Sequence, residues 1–188
     1  MALILGSKSP RRKEILSQVT TDFIVKVSDA DENIGGQIDP FYLPVELAKI
    51  KAEAIECQKD DIVIGCDTVV ILNDKILGKP KTLEESTEML KDLSGTCHYV
   101  VSGLAIKRGE RLYLTSETPL VKMRPLSEKE INTYVSRFKP LDKAGAYGIQ
   151  EMAGAFVEKI DGDFYNVVGL PLCKLVKVLR DEFDLDLI

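Results

Sequence analysis

The chain opens on an apolar run, Ala2 to Leu5, that breaks at Gly6 into Ser7, Lys8, Ser9, Pro10, Arg11 and Arg12. Apolar residues followed by glycine and then Ser-Pro predict a buried strand that turns sharply into a helix, with Ser9 as N-cap and Pro10 at the first helical position. Such a turn aims the free N–H groups and positive dipole end of the helix at one place, which favours an anion. Arg11 and Arg12 fall in the first turn, where the dipole favours Asp or Glu instead. A bound triphosphate would account for them, because guanidinium groups pair with phosphate oxygens through two parallel hydrogen bonds. Taken alone, the segment reads equally well as an ordinary capped helix with two solvated arginines.

At 188 residues the chain can form one domain, or one domain folded as two lobes around a cleft, and two independent domains are not expected. A hydrophobic content of 45% with 29% charged residues is ordinary for a globular protein. The net charge of -5 argues against nonspecific nucleic-acid binding, which leans on a basic surface. The 4 cysteines, Cys57, Cys66, Cys97 and Cys173, show no C-x-x-C spacing, so reduced and buried thiols are expected. The N-terminal apolar run is too short for a signal-peptide core and no stretch approaches a membrane span, which predicts a cytoplasmic protein with no membrane partner.

Along the chain, a first helix is expected to about Gln18 and a short strand over Phe23 to Val27, followed by an acidic, aperiodic loop with Asp29, Asp31 and Glu32. Leu43, Leu47, Ile50, Ala54 and Cys57 recur at helical spacing and predict a helix of about fifteen residues beginning near Pro44, with Lys51 off the apolar stripe. Asp61 to Gly65 reads as a buried strand, Thr68 to Leu72 continues it or starts another, and Asn73-Asp74 reads as a hairpin turn. Thr82 with Glu85, and Ser127 with Glu130, have capping-box spacing. Between those helices, His98 to Ile106 and Arg111 to Lys122 read as two long strands. A small-residue loop over Asp142 to Gly148, a strand through Phe156 to Ile160 and a helix after Pro171 complete an α/β chain with a mixed sheet.

What is missing prunes the chemistry. The chain contains no G-x-x-x-x-G-K-S/T loop, no H-E-x-x-H and no G-x-S-x-G. With His98 as its single histidine, a histidine base or a multi-histidine metal site is close to excluded, and His98 itself reads as structural. Carboxylates and lysines remain. Asp67 follows an apolar strand, where ligands of α/β sheets bind, and offers hard oxygens to magnesium or manganese; by itself it reads as readily as a turn residue. Glu32, Lys51 and Lys79 each read singly as surface charges. Together, two carboxylates, several cations and a helix start suit metal-assisted attack on a phosphoanhydride. In Asp142 to Gln150, small residues permit close approach to a flat ligand, Gln150 offers a donor and an acceptor to a base edge, and Tyr147 could stack, although a tight core loop fits the same residues.

These segments resemble, in order, the Maf family: Leu5 to Arg12, Asp31-Glu32, Leu47 to Ala52, Gly65 to Val70, Gly78-Lys79-Pro80, Leu93-Ser94-Gly95 with His98, Asp142 to Gln150, and Asn166 to Pro171. The resemblance covers nearly the whole chain and implies a single domain over 1–188. It implies an elongated, two-lobed α/β fold with a mixed central sheet flanked by helices, similar to inosine triphosphate pyrophosphatases, often as a homodimer. It further implies a nucleoside triphosphate pyrophosphatase dependent on a divalent cation (Mg2+, Mn2+ or Co2+), with attack of water at the α-phosphorus. Carried over by position, Asp67, Glu32, Lys51 and Lys79 would be catalytic, with Asp67 and Glu32 holding the metal. Ser9, Arg11, Arg12, Thr68 and Gln150 would bind substrate. Arg11, Thr68 and Gln150 match the branch that resembles dTTP and UTP hydrolases, where a second branch carries Trp, Gln and Glu and prefers 7-methyl-GTP. A neutral amide suits the imide edge of uracil or thymine. Modified pyrimidine nucleotides are a further substrate class, and a nucleotide-responsive regulator of septum formation with incidental hydrolysis is the alternative function. Gly6 and Cys66 stand where alanine is usual in the family, and Ser102 where threonine is common.

Overall fold

The computed structural model describes residues 1–27 and 30–188. Asp29, assigned above to the acidic loop, lies outside them. Among the described residues the elements are β1 (Leu3–Gly6), α1 (Pro10–Leu16), β2 (Ile24–Val25), α2 (Leu43–Glu53), β3 (Ile62–Leu72), β4 (Lys75–Leu77), α3 (Leu83–Leu93), β5 (Cys97–Arg108), β6 (Arg111–Glu117), β7 (Leu120–Met123), α4 (Glu128–Phe138), β8 (Val157–Asp161), α5 (Phe164–Val168) and α6 (Leu172–Phe183). The strands form one mixed sheet in the order β2-β1-β3-β5-β7-β8, with β4 on β3 and β6 on β5. β1 runs parallel to β2 and β3, whereas the β3–β4, β5–β6, β5–β7 and β7–β8 pairs are antiparallel. This is the expected α/β architecture.

Local chemistry explains most boundaries. Ser9, Thr82 and Ser127 cap α1, α3 and α4 by accepting the backbone N–H of Arg12, Glu85 and Glu130. The Ser127–Glu130 capping box is complete. At Thr82 it is half formed, because Glu85 Oε2 accepts from the Lys81 amide at 2.6 Å, one residue before the cap. Asn73 and Asp74 both take positive φ, 48° and 62°, as a two-residue turn between right-twisted strands requires. Cys66-Asp67 does not divide β3, which runs unbroken for 11 residues. The second predicted long strand does divide, into β6 and β7 around Thr118-Pro119, since proline has no N–H for a ladder. A 3-10 turn over Met152–Phe156 replaces the start of the last strand, and α5 carried no sequence signal.

The chain folds into two compact units. Unit 1 comprises Met1–Thr68, Ser102–Glu117 and Gly169–Ile188; unit 2 comprises Val69–Val101 and Thr118–Val168. Each has its own apolar centre: Ile4, Ala48, Ala52, Ile55, Val63 and Ala105 in unit 1, and a larger cluster around Val70, Leu90, Leu93, Val121, Tyr134 and Phe156 in unit 2.

In unit 1, α2 packs on its small-residue face. Val45, Ala48, Ala52 and the following Ile55 are buried, while Leu47 and Ile50 of the predicted stripe are only half-buried. Two strand glycines cause this. A Cβ on Gly65 of β3 would lie 2.2 Å from the Ala48 carbonyl oxygen, and one on Gly103 of β5 would lie 2.1 Å from the Pro44 carbonyl oxygen. The helix therefore rests directly on strand backbone, at a separation only alanines can fill. This seating presents Lys51, beside Ala52, to β3. α2 has 11 residues, shorter than the periodicity suggested.

Of the cysteines, Cys66 alone is fully buried; Cys57 is half-buried and Cys97 and Cys173 are exposed, and all four are free thiols. Among the described residues no helix is long and apolar enough to cross a membrane.

Candidate active site

Within β3, Asp67 and Thr68 are the two residues that are not fully buried. A carboxylate and a hydroxyl thus open in the middle of an otherwise apolar strand. Lys51, in the last turn of α2, forms an ion pair through Nζ with Asp67 Oδ1, and the same ammonium lies 3.3 Å from Glu32 Oε2. The Lys51 and Asp67 side chains are 17% and 16% exposed, whereas Glu32 is 53% exposed, so a half-solvated loop carboxylate completes a largely sequestered pair. Three of the four residues expected to be catalytic thus meet at one point in unit 1.

Arg12 sits beside them as a brace. Its Nε donates to the Gly169 carbonyl at 2.8 Å, Nη1 to the Cys66 carbonyl at 2.7 Å and to Ser7 Oγ at 3.2 Å, and Nη2 to Thr68 Oγ1 at 3.1 Å. Thr68 Oγ1 is also 2.8 Å from Ser102 Oγ. The guanidinium fork expected to grip phosphate is therefore largely committed to holding the chain around Asp67. Thr68, Ser102 and Gly169 are residues at which the chain leaves or re-enters unit 1, so Arg12 holds two of these points directly and the third, Ser102, through the Thr68 hydroxyl. Ser7 lies inside the Leu5 to Arg12 motif and Gly169 inside the Asn166 to Pro171 motif, although neither is among the expected site residues, and Ser102 stands out only as a serine where the family commonly has threonine. The φ of +132° at Gly169 explains the glycine. Burial pushes the Cys66 thiol up, with the Arg12 charge opposing.

Ser9 caps α1 as expected, its Oγ accepting from the Arg12 amide at 3.5 Å, and Arg11 is half-buried in the first turn.

Lys79 and Gln150 belong to unit 2, and both are exposed. Their segments are joined there, because the Gly145 amide donates to the Gly78 carbonyl at 3.1 Å. Tyr147 does not stand ready to stack on a base. It is buried, with its hydroxyl 2.8 Å from His98 Nε2 and the two rings edge to face. His98 is structural, as expected: burial lowers its pKa to about 4, and the neutral ring serves Tyr147.

A profile of the family described as Maf-like protein matches residues 2–182 of the chain. The chain belongs to the Maf family. Among curated relatives, the dTTP/UTP pyrophosphatase of Clostridium novyi is 47% identical over 96% of this chain and 97% of its own. Those of Thermosipho africanus and Bacillus cereus (strain B4264) are each 45% identical, covering 99% and 98% of this chain and 96% of each relative. A solved nucleoside-triphosphatase / dITP/XTP pyrophosphatase from Mycobacterium abscessus aligns over 67% of this chain and 76% of its own at 13% identity and a TM-score of 0.40, too loose a likeness to set the fold.

Proposed function

We propose that this Maf protein hydrolyses nucleoside triphosphates, dTTP and UTP foremost, to the monophosphate and pyrophosphate, working as one domain over residues 1–188. The relatives' shared name supports the substrate class, and Arg11, Thr68 and Gln150 support the pyrimidine preference. Neither unit is a continuous stretch of chain, which favours one domain over two. The observation that carries the reading is that Lys51 of α2 and Glu32 of the loop meet Asp67 in an ion-paired grouping at the one opening of a strand that is buried on either side.

The donor set fits a divalent cation. Two carboxylates already share a positive charge at Lys51 Nζ. Among the described residues no group of three or more His, Cys, Asp or Glu side chains could hold a metal. A hard cation kept by one or two carboxylates and completed by phosphate oxygens and water is the pattern magnesium favours. Asp67 and Glu32 would hold it, and when bound it supplies Lewis-acid neutralisation of phosphate charge. Asp67, as a carboxylate, accepts the proton of the attacking water, and Lys51 shifts its hydrogen bond toward the anionic phosphoryl oxygens as charge builds there. Arg12 contributes by fixing the backbone on both sides of Asp67. Lys79 is assigned to the departing pyrophosphate and Gln150 to the base edge on their sequence motifs.

The test is pyrophosphate release from a panel of nucleoside triphosphates, with 5-methyl-UTP and pseudo-UTP included, with and without Mg2+, Mn2+ or Co2+. Metal-dependent turnover led by pyrimidine nucleotides is expected. Binding without turnover would favour a nucleotide-responsive regulator instead.

A further inference from the structure

We propose that Lys143 is a positioning residue, the centre of a clasp that holds the Gln150 loop and the Lys79 segment in register for nucleotide recognition; this rests on the function proposed above. Lysine is seldom buried without a task, and the Lys143 side chain is only 8% exposed. Its ammonium donates to Asp142 Oδ1 at 2.8 Å and lies 3.1 Å from Glu151 Oε1. The other Glu151 oxygen accepts from the Tyr134 hydroxyl at 3.1 Å, and that hydroxyl in turn accepts the Gly148 amide at 3.0 Å. Glu151 thus links Lys143 to Tyr134, and Tyr134 holds Gly148, in a chain of polar contacts along the residues that present Gln150.

The packing agrees. A Cβ on Gly148 would stand 2.7 Å from Lys143 Cε, so the lysine stem lies flat on the loop backbone. Next to it, Gly145 and Ala146 take φ of 65° and 59°. A left-handed alanine is a strained conformation that persists only where its surroundings over-determine it. That kink delivers the Gly145 amide to the Gly78 carbonyl, immediately before Lys79. One buried cation therefore sets two segments, and neither Gln150 nor Lys79 needs to touch it. The clasp acts on recognition, so its loss raises KM and blurs base choice more than it slows the chemical step.

The experiment compares wild type, Lys143→Met and Tyr134→Phe in steady-state hydrolysis of dTTP and dGTP and in amide hydrogen exchange over residues 143–151. Tyr134→Phe keeps the ring's packing and removes only the hydroxyl, which guards against a variant that fails to fold. For Lys143→Met the clasp predicts KM for dTTP up about tenfold, kcat within about threefold, preference over dGTP down about tenfold and lost protection at Gly145 and Gly148. For Tyr134→Phe it predicts a smaller rise in KM and lost protection at Gly148. Unchanged KM with lowered kcat, or wild-type protection in both variants, would overturn it. If the wild type cleaves no pyrimidine triphosphate the proposed function fails, while exchange still decides whether the clasp orders the loop.

Discussion

Gly65→Ala is the substitution that most sharply probes how the fold builds the site. The added methyl would stand 2.2 Å from the Ala48 carbonyl oxygen and 2.9 Å from Ala52 Cβ, whereas ordinary contact begins at 3.4 Å. Backbone occupies the space, so no side chain can swing aside and α2 must retreat by roughly 1 Å, the shortfall between those separations. Overpacking of that kind costs about 1–3 kcal/mol. Lys51 is bonded to Ala52 and moves with it, which opens the ion pair to Asp67; a misplacement of about 1 Å at a catalytic group costs on the order of a hundredfold in rate. Urea unfolding followed by far-ultraviolet circular dichroism, with kcat/KM for dTTP, measures both losses. Gly35→Ala is the control, because a methyl there meets nothing within 4 Å and stability is expected to stay within about 0.5 kcal/mol. A Gly65→Ala protein with wild-type stability and turnover would refute the claim that the close seating of α2 sets Lys51.

Two further predictions follow from the geometry. Arg12→Lys keeps the charge and loses the fork that serves Gly169, Cys66, Ser7 and Thr68, so stability is expected to fall by about 2 kcal/mol together with kcat; a variant that is stable and impaired only in KM would mean that Arg12 acts as a simple phosphate clamp. His98 gives a pH signature: burial holds its folded pKa at about 4, below the ordinary imidazole value of 6.5, so the unfolded chain binds the extra proton. The stability tied to the neutral ring is therefore complete above pH 6.5 and lost as pH falls toward 4, by on the order of 3 kcal/mol. Chemical unfolding at intervals across that window should show a steeper slope in wild type than in His98→Gln, where only the carboxylate contribution of groups such as Glu130 remains toward pH 4, and equal slopes would remove His98 as the cause.

Much of this architecture was legible in the sequence because it is locally encoded. Ser9-Pro10, Asn73-Asp74 and Ser127 with Glu130 each specify a cap or turn through their own side chains, and all three appear where expected. The helical stripe of α2 misled, because hydrophobic periodicity ranks Leu47 and Ile50 above Ala48 and Ala52 and cannot see that Gly65 and Gly103, distant in the chain, strip the strands for close approach. Asp67, Lys51 and Glu32 stand out by motif and residue chemistry, whereas their meeting point is a property of the tertiary structure alone. The brace role of Arg12 was hidden for a related reason: three of its four acceptors, Cys66, Thr68 and Gly169, lie 54 to 157 residues away in sequence. Tyr147 reads in sequence as a stacking platform because the partner that occupies its hydroxyl, His98, lies 49 positions earlier in the chain.

The central claim is that the Asp67 carboxylate, paired with Lys51 beside Glu32, carries the chemistry. Single-turnover hydrolysis of dTTP by Asp67→Asn in saturating Mg2+ tests it most directly, because the amide keeps the shape of the side chain and removes its charge and its capacity to take a proton. The account predicts a loss of at least about a thousandfold in rate in a protein that still unfolds cooperatively at the wild-type urea midpoint. A rate within a few-fold of wild type would contradict it.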